Sequence, residues 1–167
     1  MGSDPGASAR SDIHSRLSGT HQEDGDMITY ESSTYIARPA EQVFAYVADV
    51  RNDQHWHKDV KSATVTKGDG KLAVGTVFDV KGMVSGTEEI IAYEAPHKVV
   101  LKGGDMGKIV PIDIRTIEPV DGGVRFTRHI DLDAGGFMGW MTNRMLGWAT
   151  KRNAQFVENL KNVLEGG

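Results

Sequence analysis

Polar and apolar positions alternate with a period of two over residues 28–36. Ile28, Tyr30, Ser32, Thr34 and Ile36 fall on one face; Thr29, Glu31, Ser33 and Tyr35 fall on the other. That period predicts a strand. The pattern changes at Arg38-Pro39, because a residue before proline is pushed out of the helical region while proline suits the first turn of a helix. Glu41 complements the dipole of that turn. Val43, Phe44, Val47 and Ala48 then recur at helical spacing, and Asn52-Asp53 can cap a second short turn carrying His55, Trp56 and His57. Strand character continues at about 60–67, 75–84, 86–95, 97–103, 108–118 and 123–133. The breaks carry turn chemistry: Gly68-Asp69-Gly70, Ser85-Gly86, Ala95-Pro96-His97 and Asp121-Gly122-Gly123. Successive hairpins predict an antiparallel meander. Pro111 belongs near a strand start or on an edge.

After the Gly135-Gly136 hinge the period becomes helical over about residues 139–164. Met138, Met141, Met145, Trp148, Ala149, Arg152, Phe156, Leu160 and Val163 fall on one side of the wheel. Asn143, Lys151 and Lys161 fall on the other. A helix this long must cover its apolar face, and the concave face of the sheet is the only partner large enough. The predicted class is α+β: a curved antiparallel sheet of about seven strands wrapped around a long C-terminal helix, with two short helices after strand one. Residues 1–26 are rich in Gly, Ser, Asp and Arg and cannot bury enough apolar surface to offset the entropy of ordering. They are expected to be a disordered leader or an expression scar, with one domain over 27–167.

Composition narrows the function classes. The chain has 167 residues and a net charge of -4, with no Lys/Arg run, so no nucleic-acid partner is expected. No stretch reaches the roughly 18 apolar residues of a membrane span. The absence of cysteine excludes disulfides and thiol nucleophiles and fits a cytoplasmic protein. Gly103, Gly104 and Gly107 lie between strands rather than before a helix, so no phosphate cradle and no cofactor are expected. His55 and His57 share a face only in an extended chain and lack a third ligand at a known spacing, so no metal is expected.

The candidate site consists of ionisable residues on otherwise apolar faces. Glu89 shares the inward face of its strand with Ile91 and Tyr93; Arg128 shares its face with Val124, Phe126 and Ile130; Arg152 sits in the helix stripe. Buried charges are costly unless paired. The three are therefore expected either to meet in a cavity or to form a structural ion pair. In a cavity, the arginines would hold a carboxylate, phenolate or enolate, and Glu89 would anchor them or act as a base. Trp56, Phe78, Val80, Ile91, Tyr93, Phe126, Met141, Met145 and Trp148 complete the expected lining, with Trp56 at the cavity mouth or in the core.

The run Ser33-Thr34-Tyr35-Ile36-Ala37-Arg38-Pro39-Ala40-Glu41-Gln42-Val43-Phe44, then Ala48-Asp49-Val50, then Trp56-His57, resembles the START-like superfamily. This is the Bet v 1-like or helix-grip fold, and the likeness is to its polyketide cyclase/dehydrase and coenzyme Q-binding-like families. It covers about residues 27–165. The resemblance implies a cavity between sheet and helix and a small hydrophobic partner: polyketide-, aromatic- or lipid-like. It leaves open a carrier, a cyclase, aromatase or dehydratase, self-resistance by sequestering an antibiotic product, and a protein-interaction module, because one fold hosts many functions.

Overall fold

A computed structural model describes residues 27–83, 85–104, 110–133 and 139–166. The expected leader, the Gly135-Gly136 hinge, Gly107 and Met138 lie outside the described residues, as do the side chains of Met141 and Met145. Seven strands form the sheet: β1 Met27–Ile36, β2 Val60–Lys67, β3 Val77–Gly82, β4 Gly86–Glu94, β5 Lys98–Gly103, β6 Val110–Val120 and β7 Gly123–Asp133. Their order is β1-β7-β6-β5-β4-β3-β2, and every pair is antiparallel. The first strand thus lies beside the last. Between β1 and β2, helix α1 (Ala40–Val47) and a 3₁₀ turn (Val50–His55) carry the chain to the opposite sheet edge. From there a meander returns through five hairpins.

Each connection arises from its local chemistry. Pro39 caps α1 in extended conformation with ψ 148. Asp49 caps the 3₁₀ turn, accepting a hydrogen bond from the Arg51 amide at 3.1 Å. Gly122 closes the β6–β7 hairpin at φ +80, where a side chain would be strained. Pro111 is the second residue of β6, where its missing N–H is tolerable.

Helix α2 (Gly139–Glu165) packs along β1. Glu165 accepts from the Ala37 amide at 2.7 Å, and Glu158 accepts from the Thr34 hydroxyl at 3.3 Å. Its buried stripe is Asn153, Phe156, Val157, Leu160 and Leu164. This corrects the expected wheel: Trp148 and Val163 are exposed. Asn153 is polar yet inward, because its amide is engaged with Arg128, so the stripe runs beside the one that hydropathy alone selects. Among the described residues no helix is long and apolar enough to cross a membrane.

The second correction is in β4. Glu88 pairs across from the buried Phe78, so Glu88 and Ile90 point inward, while Glu89 lies outward between Val77 and Lys102. A register shift between Ile90 and Ala92 then inserts one residue. A bulge reverses the inside–outside parity of the strand beyond it. Tyr93 is therefore inward, edge-on to Phe44 at 5.0 Å, whereas Ile91 is exposed. Strict alternation would place Glu89, Ile91 and Tyr93 on one face; the bulge puts Tyr93 on the opposite face from the other two.

Candidate functional site

Two arginines face each other across the β6–β7 ladder, Arg115 opposite Arg128. Like charges directly opposite destabilise a sheet unless something bridges them. Asp113, two residues before Arg115 and on the same face, does so through one oxygen. Its Oδ2 accepts from Arg115 Nε and Nη2 at 3.2 and 3.0 Å and from Arg128 Nε and Nη2 at 2.9 and 2.8 Å. Asp53, supplied by the 3₁₀ turn, takes the other end of Arg115: Nη1 and Nη2 donate to its two oxygens at 3.0 and 2.6 Å. Arg115 Nη1 also donates to the Val47 carbonyl at the end of α1, at 2.7 Å. All five N–H groups of Arg115 are thereby used.

On the other side, Arg128 Nη1 donates to Asn153 Oδ1, and Asn153 Nδ2 donates to the Arg128 carbonyl, both at 3.1 Å. One chain of polar contacts thus ties α1, the 3₁₀ turn, β6, β7 and α2. Trp56 lies against both guanidinium groups, 5.2 Å from that of Arg115 and 5.6 Å from that of Arg128.

Beyond this belt the sheet and the 3₁₀–β2 segment enclose a cavity of about 390 Å³. Its apolar wall includes Val60, Val80, Leu101, Ile130 and Leu132. Gly103 lets the Pro111 ring pack against the β5 backbone, where a Cβ would overlap it. The polar wall holds Tyr30, His57, Asp59, Glu88, Asp113 and Arg128. Asp113 Oδ1, Glu88 Oε2 and His57 Nδ1 are buried and have no hydrogen-bond partner among the described residues. The average exposure of Glu88 is intermediate because its stem borders the cavity, while that oxygen is fully buried.

Burial sets the titration of these groups, and neighbouring charges modify it. The Glu88 carboxyl is pushed up to about 7 by burial, with the negative charge of Asp53 adding to it. Burial would raise Asp113 too, but Arg115 and Arg128 overcome that and hold it at about 2. Burial together with Arg128 and Arg115 depresses His57 well below the usual histidine range. His57 is therefore neutral, its ring stacked 4.0 Å from that of Phe156. At the rim, Arg152 pairs with Asp59 through its Nε at 2.9 Å and through Nη2, and it covers the exposed Trp148 at 4.9 Å.

Of the residues expected from the sequence to line a site, Val80 and Arg128 border this cavity. Trp56, Phe78 and Phe126 are fully buried core residues, and Tyr93 packs against the core away from the cavity. Glu89 and Ile91 lie on the outer face; Trp148 and Arg152 sit at the surface near Asp59. Glu89, Arg128 and Arg152 do not meet. Glu88, Asp113, Arg115, Asp53 and Asn153 escape the sequence reading. The alternation Asp113, Arg115, Ile117 on one β6 face was the available signal, obscured because Ile112 and Ile114 make the other face apolar as well.

Residues 27–165 match the family described as polyketide cyclase / dehydrase and lipid transport. The chain belongs to this family. Solved structures share the helix-grip fold at low identity. Ara h 8.0201 is 14% identical with a TM-score of 0.62, covering 84% of this chain and 99% of that one. A Thermus thermophilus protein is 14% identical with a TM-score of 0.67, covering 83% and 97%. A polyketide-cyclase-like protein of Corynebacterium glutamicum is 20% identical with a TM-score of 0.60, covering 83% and 92%. No curated protein gives a significant match. For this member of the polyketide cyclase/dehydrase and lipid transport family, family and fold point to hydrophobic-ligand binding or a cyclase-like role.

Proposed function

We propose that the chain binds a small hydrophobic molecule, polyketide-, aromatic- or lipid-like, in the cavity between the sheet and the 3₁₀–β2 segment. The observation that carries this reading is the cavity of about 390 Å³, walled by aliphatic side chains with polar groups on one side. Small-molecule sites typically have about this size and this mixture. In this reading Val80, Leu101, Ile130 and Leu132 hold the apolar body, and Glu88, Asp113, Arg128, Tyr30 and His57 surround the polar end. The test is a thermal-shift and NMR screen of aromatic and lipid-like compounds against wild type and Leu132→Trp, which fills the cavity. Binding by wild type that is lost in the filled variant supports the reading. Equal binding by both places the ligand elsewhere and contradicts it.

One observation favours a second reading, a cyclase, aromatase or dehydratase. The Glu88 carboxyl lies in the cavity wall and titrates at about 7, where it can both give and take a proton. Holding a flexible chain beside one such group can suffice for enolisation or loss of water. Turnover of a poly-β-keto substrate by wild type, abolished in Glu88→Gln without loss of binding, would favour this reading over a carrier.

A further inference from the structure

The more buried of the two interior arginines is not available as an anion site. Arg115 spends all five of its N–H groups on Asp53, Asp113 and Val47. Arg128 gives three of its five N–H groups to Asp113 and Asn153. The charges of the two arginines are balanced by the two aspartates. At the rim, Arg152 is likewise paired with Asp59. The buried polar atoms left without a partner in the cavity lining include two carboxylate oxygens. All four arginine contacts fall on Asp113 Oδ2, leaving Oδ1 without a partner among the described residues, although Asp113 is only 7% exposed. Glu88 Oε2 is buried and unpartnered in the same wall. A buried acceptor left empty costs about 1–3 kcal/mol, so a ligand that donates to it gains what the empty protein lacks.

We infer that the cavity selects apolar molecules whose polar end donates hydrogen bonds, a hydroxyl or a protonated amine, to Asp113 Oδ1 and Glu88 Oε2, and that it refuses carboxylates. This rests on the ligand-binding function proposed for the same cavity and reverses the polarity that an inward arginine pair implies. A carboxylate would meet two acidic side chains, with both guanidinium groups already compensated. A hydroxyl or ammonium meets acceptors held in place by the belt.

Four biphenyls that differ only in their para group test this: hydroxymethyl, aminomethyl, methyl and carboxylate. Their affinities are measured by NMR titration against wild type, Glu88→Leu and Glu88→Gln. Glu88 makes no side-chain hydrogen bond among the described residues, so neither substitution leaves a protein group unpaired. The preference of wild type for hydroxymethyl over methyl falls about tenfold in Glu88→Leu, the size expected for a lost hydrogen bond to a buried acceptor. Glu88→Gln retains an acceptor and keeps most of the preference. The carboxylate binds most weakly to wild type and improves in Glu88→Leu. Tightest binding of the carboxylate, or an unchanged preference in Glu88→Leu, overturns the inference while leaving cavity binding intact. If no biphenyl binds to any of the three proteins, cavity binding itself falls and the inference with it.

Discussion

At the α1 end of the interior, Ile36, Val43, Phe44, Val47, Val99 and Leu160 pack into a solid core; at the other end, Leu101, Ile130 and Leu132 face a cavity. The same strands build both ends. Along β7, the wall passes from Val124 and Phe126 in the core, through Arg128, to Ile130 and Leu132 at the cavity. Along β6 it passes from Ile117 through Arg115 to Asp113. The boundary between solid and hollow is thus the belt Asp53–Arg115–Asp113–Arg128–Asn153. A dry core needs only matched volumes. A cavity wall needs side chains held without contacts on one side, and the belt supplies that support by tying five elements together. The difference teaches that this buried charge network is architecture for the cavity, while the proposed ligand contacts fall on Asp113 Oδ1 and on Glu88 Oε2 beside it.

The comparison breaks most severely at the belt. Arg115→Met leaves Asp53 and Asp113 buried without their main counter-charge, and removing one partner of a buried pair costs about 3–5 kcal/mol. Urea denaturation should show a loss of that size, together with loss of biphenyl binding. A loss under about 1 kcal/mol would mean that the belt does not hold the fold. In the solid end, Leu160→Ala should cost about 3 kcal/mol through lost contacts and an unfilled void. Its effect on ligand affinity should be small, because Leu160 does not line the cavity.

The hollow end responds in the opposite direction. Glu88→Leu should raise stability, and the gain should depend on pH. The fold raises the Glu88 carboxyl from 4.5 to about 7, so folding favours its protonated form. Its ionisation brings no penalty below the unfolded value. A penalty develops as pH rises through the window from 4.5 to about 7 and is complete above it. Asp53, Asp113, Arg115 and Arg128 all act on this group. The advantage of Glu88→Leu over wild type should therefore be larger at about pH 8 than at about pH 5, by up to roughly 3 kcal/mol. Equal advantages at both pH values would show that Glu88 is not held in a desolvated wall. The smallest effect is predicted one residue along: Glu89→Ala, on the outer face, should change stability by no more than about 0.5 kcal/mol.

That contrast between neighbouring glutamates also marks how far the sequence can be read. The strands, hairpins, proline-led turn and C-terminal helix were all legible, because each rests on local periodicity and turn residues such as Asp121-Gly122. The wall of the site was less so. A bulge after Ile90 reverses parity within β4, and nothing in Glu88-Glu89-Ile90-Ile91 announces it. Asn153, being polar, gives no sign of facing inward until Arg128 is placed beside it. Arg115 joins Asp53 across 62 positions of sequence, a pairing that only the fold creates. Trp56 reads equally as core or mouth; its complete burial between Phe126 and the two guanidinium groups assigns it to the core.

The central claim is that the hollow end accepts an apolar ligand. Backbone amide shifts during titration with para-hydroxymethyl biphenyl test it most directly. Saturable shifts are predicted at Val80, Glu88, Leu101, Ile130 and Leu132, with Val43, Val99 and Leu160 unmoved. Non-saturating shifts, or shifts gathered around the exposed Trp148 and Met83, would contradict it.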